Sequence, residues 1–158
     1  MTRRGALTLL CLTGCPSESP ERCTGAGDIT IRARPNRLDT DDRRDGAELP
    51  VFLPPQDGTF TELDVEIGGI AAADVETVRV EVEDEDGELL AIQEYNGAGI
   101  PWMCQPDGSI IVLDLPVRFS DALVLAELDG VEATLLVGVD GPDGSTDVRW
   151  AVVLRQTP

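Results

Sequence analysis

Val78-Arg79-Val80-Glu81-Val82-Glu83 runs directly into Asp84-Glu85-Asp86-Gly87. Strict alternation of a β-branched apolar residue with a charged one puts the valines on one face of a strand and Arg79, Glu81 and Glu83 on the other. The Asp-Gly that follows is a turn signal, because aspartate tolerates the left-handed region and glycine has no Cβ to clash there. The stretch therefore reads as the first arm of a hairpin with one buried face. The same pattern extends in both directions. Ile29 and Ile31 alternate with polar neighbours, as do Leu63, Val65 and Ile67, and further strands are expected near 88–95, 109–115, 131–139 and 147–155. Val137-Gly138-Val139-Asp140-Gly141-Pro142-Asp143-Gly144 makes a second alternation that ends in a turn. Asp-Gly occurs seven times, at 45–46, 57–58, 86–87, 107–108, 129–130, 140–141 and 143–144. No segment sustains helical periodicity, and 120–128 fits a single helical turn or one more strand. Roughly seven or eight strands in a body of about 130 residues predict an all-β fold: an antiparallel β-sandwich, immunoglobulin-like in the broad sense. The likeness is one of pattern, since the Cys-Trp-Cys arrangement of immunoglobulin domains is absent.

Composition narrows the chemistry. The 158 residues include 12 arginines, no lysine, no histidine and 30 acidic residues, for a formal net charge of −18. Without histidine there is no Ser-His-Asp or Cys-His machinery and no imidazole metal ligand. Without lysine there is no Schiff-base chemistry, Ser-Lys dyad or P-loop. The acidity opposes nucleic acid and anionic lipid headgroups, so no nucleic-acid partner is expected.

The N-terminus carries an address. Arg3 and Arg4 precede a short apolar stretch, Ala6 to Leu12, which is too short to span a bilayer and suits a secretory signal. It ends in Leu12-Thr13-Gly14-Cys15, which resembles the lipobox of bacterial lipoproteins. The resemblance implies cleavage before Cys15, a diacylglycerol on its thiol and an acylated amino terminus. It also implies an outer-membrane location, periplasmic or surface-facing, because the residue after Cys15 is not Asp. An ordinary secretory signal is the alternative, and Thr2-Arg3-Arg4-Gly5-Ala6-Leu7 also faintly resembles a twin-arginine signal. The expected organisation is a removed signal over 1–14, a lipidated cysteine and polar tether over 15–27, and one acidic domain over 28–158. No later apolar run exceeds five residues.

Cys11 leaves with such a signal and Cys15 takes the lipid, so Cys23 and Cys104 remain as an even pair in an exported chain. A disulfide is expected, with two free thiols as the alternative.

Four further candidates carry chemistry. Asp39, Asp41 and Asp45 alternate before Gly46 in a manner that suits calcium, although Arg43 occupies one ligand position. Asp84 and Asp86 with Glu88 would form a second calcium cluster if the fold brought them near Asp140, Asp143 and Asp147. Paired carboxylates would serve a small hydrolase, but among 30 acids some pair is always close. Six aromatics (Phe52, Phe60, Tyr95, Trp102, Phe119, Trp150) are also few for a sugar-stacking cleft and a core together. Trp102, beside Cys104, would anchor a protein or glycan partner if exposed, or pack over the disulfide if not. The resulting expectation is a non-enzymatic, membrane-anchored binding, adhesion or structural module of the envelope. It needs no cofactor, and calcium dependence is its alternative.

Overall fold

A computed structural model describes Cys23 and residues 25–35, 46–53 and 58–157. Nine strands and one short helix follow in order: β1 (Thr30–Pro35), β2 (Ala47–Val51), β3 (Phe60–Gly68), β4 (Thr77–Asp84), β5 (Leu89–Asn96), β6 (Met103–Cys104), β7 (Ile110–Arg118), α1 (Leu125–Leu128), β8 (Glu132–Gly141) and β9 (Gly144–Gln156). They form two sheets, ordered β1-β3-β7-β6 and β2-β9-β8-β4-β5. Every pairing is antiparallel except that of β2 with β9. The first order is that of the A-B-E-D sheet of immunoglobulin-like sandwiches, and β9-β8-β4 with β5 follows their G-F-C sheet with one added strand. The all-β sandwich read from the sequence is the fold observed.

Period two does what it predicted on β4. Val78, Val80 and Val82 are fully buried against Leu63, Val65 and Ile67 of β3 and Val137 and Val139 of β8, in one core between the sheets. Each such side chain contributes about 1.5–3 kcal/mol on burial. The opposite face of β4 carries Arg79, Glu81 and Glu83. Arg79 meets Glu81 at 3.4 Å and Arg149 of β9 meets Glu83 at 3.9 Å. The arginines of these pairs are half-exposed and screened by solvent, although Glu81 itself is buried. Their stems nevertheless help to cover Leu136, which is 2% exposed on this outer face in register with Glu81 and Arg149.

β7 breaks the period. Leu63 pairs with Leu115 and Val65 with Val112, so Leu113 and Asp114 together oppose Asp64 in a bulge. Asp114 has φ 56°, and its N–H donates to the carboxylate of Asp64 at 3.2 Å. The same carboxylate pairs with Arg34 at 3.2 Å, so this nearly buried acid is satisfied twice.

Cys23 and Cys104 form a disulfide, with Cα atoms 5.6 Å apart. Cys23 is 2% exposed and belongs to the core. A Cβ on Gly25 would lie 2.3 Å from the backbone nitrogen of Ile70, so the chain is packed against the body there as well. Cys23 and Gly25 therefore both pack against the folded body. Gly25, at the end of the 15–27 stretch expected as a tether, serves this close approach.

Candidate functional site

Strand register fixes which loops share an end of the sandwich. Cys104 pairs with Ile110 at the start of β7, and Asp140 lies level with Thr77 and hence with Asn96. The disulfide, the 140–144 turn and the 105–109 turn therefore sit at one end. Asp84, Leu89, Arg118 and Glu132 occupy the other, joined by the Ala91–Phe119 bridge. Eight residue steps along β7 carry the chain from Ile110 to Arg118, about 26 Å at the usual rise of a strand.

This arrangement does not assemble the joint calcium cluster. Asp84 and Asp86 lie at one end, and Asp140 and Asp143 lie at the other. The Asp84 carboxylate is already engaged, accepting the N–H groups of Asp86 at 3.0 Å and Glu88 at 2.8 Å to form its own turn. Asp140 accepts a hydrogen bond from the Ser145 hydroxyl. Among the described residues, no three or more acids or cysteines are grouped to hold a metal ion. Asp39, Asp41 and Asp45, like Cys15, lie outside the described residues.

Trp102 is half-buried against the core, and its indole N–H donates to the Gly97 carbonyl at 3.0 Å. The side chain expected either to anchor a partner or to close the core sits on the core side, with its polar atom used internally.

One serine stands between two carboxylates. The Ser109 hydroxyl donates to Asp107 at 2.8 Å and lies 3.4 Å from Glu66, beside Arg32. The Ser109 side chain, then its backbone N–H, hold the Asp107 carboxyl below its usual range. The same carboxylate accepts the Ser109 backbone N–H at 3.0 Å, and the Gln105 N–H donates to the Ser109 carbonyl at 2.8 Å, so these contacts close the 105–109 turn.

The feature that sequence reasoning missed lies at the Arg118 end. Two adjoining grooves share Arg118, Ser120 and Asp121. One, of about 420 Å³, runs along Leu89–Gln93 of β5, and the other, of about 330 Å³, is lined by Leu53, Thr59 and Leu123–Leu125. Six large apolar side chains are exposed among the described residues, and four of them (Leu53, Leu89, Ile92 and Val124) line these grooves. Arg118 is held between them by Asp121 at 2.7 Å, with its guanidinium 5.8 Å from the centre of the Phe60 ring.

The groove follows the edge of the sheet that is least defended. Edge strands invite pairing unless shortened, charged or interrupted by proline. β1 carries Arg32 and Arg34 and ends at Pro35, β2 contains Pro50, and β6 has two residues. β5 has eight residues, no proline and no cation. Its lower part is closed by the Ala91–Phe119 bridge and by the Ser120 N–H, which donates to the Leu90 carbonyl at 2.9 Å. Only proximity in the fold unites residues 53, 89–92 and 118–125, so no local motif announced them.

No protein-family model matches the chain, and no curated protein matches it. Among solved structures it is similar to the CooA pilin subunit from enterotoxigenic Escherichia coli. The identity is 8% over 81% of this chain and 97% of that one, with a TM-score of 0.35. A likeness this loose carries no functional argument.

Proposed function

We propose that this chain is an exported bacterial lipoprotein, anchored through Cys15, whose sandwich works without catalysis as a binding module of the cell envelope. The observation that carries the reading is the placement of the apolar grooves around Arg118 at the end opposite the Cys23–Cys104 disulfide. Seven residues separate Cys15 from Cys23, so lipid on Cys15 would hold the disulfide end within about 28 Å of the bilayer surface. The grooves would then lie at the end of the body away from the anchored one. Lipid supplies location, the disulfide supplies orientation and the distal grooves supply contact area. A non-catalytic role is supported by the absence of histidine and lysine. Ten arginines against thirty acids after Cys15 give that portion a formal charge of −20, a coat that keeps an anchored domain soluble. Metabolic labelling with a palmitate analogue tests the anchor. Wild type should carry label and sediment with membranes, while Cys15→Ser should lose both. Label that persists in Cys15→Ser would sink the lipoprotein reading.

A further inference from the structure

We infer that the paired grooves around Arg118 take a cationic, apolar polypeptide segment, with apolar side chains seated beside Leu89, Ile92 and Val124 and arginine or lysine side chains reaching the acidic rim. The inference rests on the binding-module reading above and names the class of its partner.

The apolar half of the argument is surface. Leu53 is 57% exposed, Ile92 55% and Val124 59%, and all three line grooves joined by Arg118 and Asp121. Grouped apolar side chains kept in water at one end of an otherwise acidic domain mark a site that is covered in use. The charged half is complementarity. Glu88 and Glu94, both exposed, flank the Leu89–Gln93 wall, while Asp121 at the junction is neutralised by Arg118. A third groove at the same end is lined by Asp84, Glu85, Asp86 and Glu132, with no cation. Arg118 does not offset this field, because it is already engaged by Asp121 and Phe60. An anionic partner would meet more carboxylates than cations at this end. A second copy of the anchored chain would bring another −20 against the first. A segment that alternates apolar with basic residues satisfies the lining and the rim together.

The test uses the lipidated mature chain in neutral phosphatidylcholine nanodiscs, with empty nanodiscs as the blank. The probe is a fluorescent twelve-residue peptide alternating leucine with arginine, and its control alternates leucine with glutamate. Anisotropy should report binding of the first peptide and not of the second, weakening several-fold as salt rises. Ile92→Asp and Val124→Asp should each cost about tenfold or more in affinity. Met103→Asp and Leu113→Asp, at exposed apolar positions that line neither groove, should bind as wild type does. Equal binding of both peptides, no binding of either, or groove variants indistinguishable from wild type would overturn the proposal. Self-association lost on Ile92→Asp would also overturn it, assigning the surface to a second copy. Failure here alongside a protein captured at Val124 in intact cells would remove the cationic partner while leaving the binding module standing.

Discussion

Removing the disulfide is the perturbation whose size the structure fixes best. Cys23 and Cys104 are 81 residues apart in sequence, and closing a loop of that length withdraws chain entropy from the unfolded state worth about 4.5 kcal/mol at 25 °C. In a domain of about 130 residues, each kcal/mol moves the melting temperature by roughly 3–4 °C. The double variant Cys23→Ala/Cys104→Ala should therefore melt about 15 °C below wild type. Far-ultraviolet circular dichroism is the assay, with mass spectrometry establishing that the wild-type bond is present. Both variant and wild type should show the same strand signal before melting, because the bond acts mainly on the unfolded chain. Wild type treated with reductant should follow the double variant. A fall of less than about 3 °C, with the bond shown to be present in wild type, would refute the reasoning. It would mean that Cys23 is held by its packing alone, and the disulfide could not be what orients the body on a tether.

Two further outcomes follow from local geometry. Tyr95 is the sole tyrosine, its hydroxyl donates to the Pro116 carbonyl, and burial pushes its pKa up to about 12. A raised folded value means that its contribution to stability is complete below the unfolded pKa near 10 and is lost as pH rises from there through 12. Ultraviolet titration should show ionisation two units late, and Tyr95→Phe should flatten the alkaline loss of stability; a midpoint at the ordinary value would contradict the burial. Gly97 and Gly99 bracket a single 3₁₀ turn yet should respond oppositely to alanine. A Cβ on Gly97 would lie 2.0 Å from the Val75 carbonyl oxygen, whereas one on Gly99 meets nothing within 4 Å. Denaturant melts should show Gly97→Ala costing about 1–3 kcal/mol and Gly99→Ala about 0.5 or less. Equal effects would sink the close-approach reading of Gly97.

The sandwich was legible where its elements speak locally. β4 declared itself through three valines and three charged residues in strict alternation. Six of the seven Asp-Gly glycines, at 46, 58, 87, 108, 130 and 144, adopt positive φ as the turn reading requires. The seventh, Gly141, is the last residue of β8, where it pairs with Gly144 across the hairpin without a positive φ. The segment 120–128 resolves into the short helix α1. What was illegible depends on distant partners. β2 contains Pro50 and exists through parallel pairing with β9, a hundred residues downstream, and β6 is two residues defined by β7. The same holds for the site. Trp102 drew attention because tryptophan is a frequent interface anchor, yet the fold gives it an internal hydrogen bond. The exposed surface is instead built from Leu53, Leu89, Ile92 and Val124, unremarkable singly and grouped only once β5 closes against Phe119.

Site-specific photocrosslinking in intact cells tests the central claim most directly. A photoreactive residue would replace Val124 at the groove end in one strain and Asp143 at the disulfide end in another, both in the full-length chain. The account predicts a discrete crosslinked protein from position 124 and none from position 143, with the capture lost when Ile92→Asp is added. Capture from position 143 alone, or from neither position, would contradict a module that presents its distal grooves to a partner.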